Sequence, residues 1–205
     1  MEKNIHGKNM SHRFRGFYPV VMDIETAGFD TKKNAVLEVA AVTLTYDQSG
    51  MLMPDKTYAY HVLPFTNATF DAAALQFTGI DPYHPFRFAQ SETEVLHDLF
   101  KNIQEHKKIH QCRRAVMVAH NPIFDMSFLQ AMITRCEIKK NPFHAFTTFD
   151  TATLAAAAYG QTVLAKAMEK AGITFDPKEA HSAIYDAEKT AELFCQIINH
   201  YATLI

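Results

Sequence analysis

PVVMDIETAGF, residues Pro19 to Phe29, opens as a run of apolar and β-branched side chains and then sets Asp23 and Glu25 one isoleucine apart. Such a run reads as a buried β-strand, here over about 18–25. A strand turns alternate side chains to opposite faces, so the two acids emerge on the same side, a few ångströms apart. Carboxylates that close repel one another. A proton, a basic side chain or a metal ion is needed between them.

The rest of the chain extends this strand into an α/β pattern. Further strands are expected near 36–46 and 57–63. A helix over about 91–106 follows, opened by Ser91 with Glu94 three residues on, the spacing of a capping box. RAVMVAH (114–120) reads as a short buried strand. Asn121 is then expected to cap a helix that begins at Pro122 and runs to about Arg135. A brief strand at about 146–149 leads to Asp150, which caps TATLAAAAYG, and Gly160 ends that helix. Helices over about 161–171 and 182–203 complete the order. The fold class is α/β, a mixed central β-sheet flanked by α-helices.

The 205 residues are 48% hydrophobic, enough for one proper core. The expected organisation is a basic N-terminal arm over residues 1–16 and a single domain over 17–205. No apolar run reaches the roughly 20 residues of a membrane helix, and the polar start lacks the apolar core of a signal peptide. A soluble, cytoplasmic protein is therefore expected. Cys112, Cys136 and Cys195 form neither a metal-ligand pair nor an even disulfide set, and no chemistry is assigned to them.

Formal net charge is only −2, yet the basic residues are bunched. Lys3, Lys8, Arg13 and Arg15 outnumber Glu2; Lys101, Lys107, Lys108, Arg113 and Arg114 outnumber Glu105; and Arg135, Lys139 and Lys140 outnumber Glu137. Local field, not net charge, steers a polyanion, so the bunching points to a phosphate track.

The other acids sort by position. Open α/β sheets bind ligands outside the C-terminal ends of their strands, where Asp23 and Glu25 fall. Asp125 lies in the first turn of the helix that follows the strand AVMVA. His181 and Asp186 sit at the mouth of the last helix; five helical residues span about 140°, so the two share a face only if His181 lies outside the helix, on a loop. Taken singly, Asp125 could serve the helix dipole and His181 could be an ordinary surface histidine.

Three segments agree in order, spacing and local structure: DIET (23–26), HNPIFD (120–125) and HSAIYD (181–186). Together they resemble the signature segments of the DEDDh exonucleases, a family with the ribonuclease H-like fold. RFRGFYPVV, ALQFTGIDP, NPFHAFTTFDT and GQTVLAKA are similar to one branch of it, over nearly the whole chain. The resemblance implies a 3′→5′ exoribonuclease that trims short single-stranded 3′ tails of RNA, including tRNA and other stable RNA precursors, and that works as a homodimer. Single-stranded DNA is an expected second substrate. It also implies two divalent ions, with Asp23 bridging both, Glu25 and Asp186 on one, Asp125 on the other, and His181 as the base. Four carboxylates and no thiolate suit Mg²⁺, with Mn²⁺ as a substitute. Histidine's ordinary pKa near 6.5 suits the base.

Phe29, Phe77, Phe124 and Phe146 lie at positions where that branch is similar in using aromatic rings, and are expected to stack on unpaired bases. Arg13, Arg15, Lys108, Arg114 and Lys139 fall where it has a nucleic-acid patch apart from the active site. One departure stands out: Ala73 occupies the place of a glutamate, and a methyl group reads no base edge. The three signatures alone also fit a DNA proofreading exonuclease subunit or an oligoribonuclease. A noncatalytic single-stranded nucleic-acid-binding module is the alternative from a different class.

Overall fold

The computed structural model describes residues 10–202. Lys3, Lys8 and most of the expected arm lie outside them. Five strands, β1 (Phe17–Thr26), β2 (Val36–Tyr46), β3 (Leu52–His61), β4 (Arg114–Ala119) and β5 (Phe143–Asp150), form one sheet in the order β3-β2-β1-β4-β5. β2 runs antiparallel to β1 and β3, while β4 and β5 run parallel to β1. β1 is central, which is why its sequence is nearly continuous in apolar residues until the acids begin. Pro19 is tolerated there because pairing with β2 starts only at Val20. β3 is an edge strand that begins earlier than expected, with Pro54 inside it and alternating exposure.

The helices are α1 (Met10–Arg13), α2 (Ala72–Thr78), α3 (Glu92–Ile109), α4 (Ile123–Arg135), α5 (Thr151–Tyr159), α6 (Leu164–Ala171) and α7 (Ala183–Ala202). The capping box at α3 forms on both sides, Ser91 accepting from the Glu94 amide and Glu94 accepting from the Ser91 amide. Asp150 caps α5 through the Ala152 amide, and Gly160 closes it in the left-handed region. α7 packs across β1, β2 and β3; α3 lies against β2 and β4, and α4 against β1. No described helix is long and apolar enough to cross a membrane.

Of the expected N-terminal arm, Met10 and Phe14 are buried in the core, and Phe14 stacks on Phe194 of α7. Asn121 does not cap α4 with its side chain. It takes a left-handed backbone (φ 65°), its amide donates to Asp150 Oδ1 at 3.1 Å, and its carbonyl accepts the Phe124 amide. Arg135, one of the bunched basic residues, is held within the fold: Glu92 accepts from it at 2.6 Å and 3.0 Å, and its guanidinium covers the Phe65 ring.

Candidate active site

β1 delivers its acids to the C-terminal end of the sheet, where a bulge after Glu25 breaks the register with β2. The chain then turns at Gly28, whose φ of 146° and close approach to Asn34 leave no room for a side chain. A Cβ there would meet Asn34 Oδ1 at 2.5 Å. That oxygen is already committed, accepting the Asp30 amide at 2.8 Å, while Asn34 Nδ2 donates to the Thr69 carbonyl at 3.0 Å. The tight turn holds Phe29 out in solvent, 82% exposed. Residues 62–71 pack on this loop and carry α2 beside the end of β1; Ala27, Ala35 and Leu37 form a small core with Phe65, Phe70 and Leu75 beneath it.

A cavity of about 540 Å³ opens here and gathers Asp23, Glu25, Asp125, His181, Asp186, Phe29, Phe77 and Phe124. Thus the three signature segments, distant in sequence, meet at one place. Asp125 is buried in the first turn of α4. His181 lies just before α7 with φ 67°, and its amide donates to Asp186 Oδ2 at 2.9 Å. The other oxygen of Asp186, Oδ1, is buried without a hydrogen-bond partner. Glu25, His181 and Asp186 each offer a ligand atom within 4.8 Å of the others, a spacing that can hold a metal ion.

The electrostatics carry the same message. Burial, together with repulsion from Asp186, Glu38 and Asp125, pushes the Glu25 carboxyl up to about 8. Burial raises Asp125 to about 7, although backbone amides hold it down in part. Asp23 is pushed well above the usual carboxylate range by burial and by its neighbours Asp125, Glu25 and Asp186. Burial also raises Asp186. Asp150 is the contrast: burial pushes it up, but hydrogen bonds from Thr153, Asn121 and Ala152 outweigh that and keep it low. Both oxygens of Asp150 have donors, whereas Asp186 Oδ1 has none. An acidic cluster with an orphaned acceptor fits divalent cations and oxygen-ligand chemistry.

The stacking candidates divide. Phe77 on α2 lies over His181 with ring centroids 4.0 Å apart, and Phe29 meets Phe124 edge-on at 6.0 Å. Phe146 is outside the cavity lining. It stands on β5 where the ladder skips between Ala115 and Met117, against His144. A ring on an irregular edge strand follows the bulge, not the strand period.

Several further residues line the site that the sequence reading did not assign to it. His120 lines the cavity, its ring nitrogens 3.1 Å from Thr151 Oγ1 and 2.7 Å from the Thr162 carbonyl. Asn121 and Asp71 line it too. His120 and Asn121 open the segment HNPIFD, so the motif held the clue. Glu38 pairs across the ladder with Glu25, a relation that only the register reveals.

The basic residues collect elsewhere. Arg114 pairs with Phe17 at the start of β1, and its Nη1 donates to the Asn141 carbonyl, two residues past Lys139. Arg13 donates to the Ile198 carbonyl beside them. At a strand rise of about 3.3 Å per residue, Phe17 is roughly 20 Å from Asp23. These residues therefore mark the end of the sheet opposite the carboxylates.

A mixed sheet with four carboxylates and a histidine at its strand ends, beside exposed rings, defines a hydrolytic nuclease of the ribonuclease H-like fold. The chain belongs to the Exonuclease family, whose RNase T model matches residues 20–194. It is 55% identical over 195 residues to ribonuclease T of Pectobacterium atrosepticum, covering 95% of this chain and 87% of that one. It is 53% identical over 204 residues to ribonuclease T of Escherichia coli (strain K12), covering 100% of this chain and 95% of the relative. In fold it is similar to E. coli exonuclease I in complex with a dT13 oligonucleotide, with a TM-score of 0.70, 15% identity, and coverage of 92% of this chain and 42% of that one.

Proposed function

We propose that the protein is a 3′→5′ exoribonuclease that trims short single-stranded 3′ tails of tRNA and other stable RNA precursors, releasing nucleoside 5′-monophosphates, with single-stranded DNA as a second substrate. The observation that carries this reading is the meeting of Asp23, Glu25, Asp125, Asp186 and His181 in one cavity with Phe29, Phe77 and Phe124. The identity to ribonuclease T over nearly the full chain supports the substrate class.

Asp23, Glu25, Asp125 and Asp186 would hold two divalent cations, Mg²⁺ with Mn²⁺ as substitute. Bound there, such ions supply Lewis-acid polarisation of the phosphate and a water activated for in-line attack. His181, exposed at the cavity rim and outside the helix, accepts the proton from the attacking water. Phe29 and Phe77 stack on the unpaired terminal bases, an interaction that tolerates any base and selects single strands. Glu25 and Asp186 lie close to His181, so the base faces the ligand set directly. The basic residues at the opposite end of the sheet are too far to serve their own cavity; in a homodimer they serve the partner's. DNA proofreading and oligoribonuclease activity would use the same site residues, and the relatives favour RNA trimming over both.

The test uses a hairpin RNA with a four-nucleotide 3′ tail and its DNA counterpart, each 5′-labelled, with Mg²⁺ or chelator. Shortening from the 3′ end that requires the ion, stops near the duplex and is abolished by Asp23→Asn is the expected result. Tight binding without shortening under Mg²⁺ and Mn²⁺ would leave a noncatalytic single-strand-binding module instead.

A further inference from the structure

β2 brings a fifth acid beside the cavity. Glu38, paired across the ladder with Glu25, has both side-chain oxygens engaged. Oε1 lies 3.2 Å from Nδ1 of His61, and Oε2 accepts the Ala183 amide at 3.3 Å. Ala183 is the first residue of α7. Its amide is one of the donors that a helix start leaves without an intrahelical partner, and the positive end of the helix dipole favours an anion there. The position is costly in another respect, because the charge of Glu38 adds to the repulsion already acting on Asp23 and Glu25. Two basic side chains flank it: His61 at the end of β3, and Arg87, whose Nη2 donates to the Leu37 carbonyl at 2.6 Å.

The start of α7 is closed by three bonds. The His181 amide donates to Asp186 Oδ2, the Asp186 amide donates to the Ser182 carbonyl, and the Ala183 amide donates to Glu38. The first two tie the turn to itself, and the third reaches the sheet, at the residue opposite Glu25. We infer that Glu38 is a positioning residue: by clamping the first amide of α7 to β2 it sets His181 and Asp186 against Glu25, and so completes the cation site and the placement of the base. The inference rests on the nuclease reading of the cavity, but the clamp itself is a property of the folded chain. It acts through a hydrogen-bond acceptor at Oε2, so an amide oxygen in the same place does most of the same work.

Glu38→Ala and Glu38→Gln separate the possibilities. Three quantities are read for each: Mn²⁺ affinity by calorimetry, hydrogen–deuterium exchange of the segment 180–187, and kcat and KM on the tailed hairpin. Loss of a residue that orients metal ligands costs on the order of 10–100-fold in ion affinity or turnover. The expected result is that Glu38→Ala loses that much in Mn²⁺ affinity and kcat, with KM for RNA unchanged and faster exchange at 180–187, whereas Glu38→Gln retains most of all three. Equal damage in both variants would overturn the inference, since the charge and not the acceptor would then matter. So would a Glu38→Ala protein that melts lower yet keeps its kcat and Mn²⁺ affinity well below its Tm, for that is a scaffold role only. An inactive wild type would sink the nuclease reading, while the exchange and calorimetry would still decide whether the clamp exists.

Discussion

Ala73 lines the cavity one helical turn before Phe77, on the same face of α2. Its amide is taken by Asp71, the helix cap, and its methyl offers nothing to a base edge. On the proposed reading, the position of Ala73 contributes no hydrogen bond to base selection. Tails ending in C and in A are therefore expected to be trimmed at equal rates, and Ala73→Glu is expected to introduce a stall at one of them, read from product ladders on matched substrates. The acids predict a pH dependence as well. Glu25, at about 8 in the folded protein, and Asp125, at about 7, keep protons that the unfolded chain gives up near its ordinary carboxylate values. In ion-free protein this stabilisation is complete below about pH 4 and is lost as pH rises towards 8. The Tm in chelator is expected to fall between pH 5 and pH 8, Glu25→Gln to flatten that fall, and Mg²⁺ to raise the Tm more at pH 8 than at pH 5. A Tm in chelator that rises over this interval would contradict the account.

Elements with a strong local code were legible in the sequence. β1 declared itself by its apolar run and its acids, α3 by the Ser91–Glu94 box, and α5 by Asp150 and Gly160. α2 was not: no residue of it is fully buried, and it is placed by a small core in which Leu75 and its neighbours Phe65, Phe70 and Ile80 pack on Ala27, Ala35 and Leu37 from the distant loop after β1 and the start of β2. Asn121 misled because a good cap residue is also one of the few that tolerate a left-handed backbone, and here the backbone won. The three signature segments hold the five polar site residues and His120 as well, whereas Glu38 reaches the site through strand register, which no local pattern carries. The loop after β1 yields a prediction of its own. Gly28→Ala forces a Cβ against Asn34 in a backbone region that side chains avoid, a strain of about 1–3 kcal/mol. A lower Tm together with a raised KM for single-stranded tails is expected, since the same turn presents Phe29.

At the scale of the whole molecule, charge is sorted along the strands, with carboxylates at one end of β1 and Arg13, Arg15, Lys108 and Arg114 near the other. Lys107 registers the crowding: burial, then Arg114 and Lys108, lower its pKa. Arg15→Ala and Arg114→Ala are expected to raise KM and to reduce the slope of log KM against log salt by roughly one for each phosphate that is no longer neutralised, with kcat unchanged. Kinetics at several salt concentrations measure this, and a slope equal to that of the wild type would refute the patch.

Chain order gives the packing of α7 a temporal meaning. All five strands are complete by Asp150, but His181 and Asp186 come later, on the helix that closes over β1, β2 and β3. At a synthesis rate of about 5–20 residues per second, those two residues are made a few seconds after the last strand. The proposed site is therefore incomplete until the last helix has been made and has packed on the sheet.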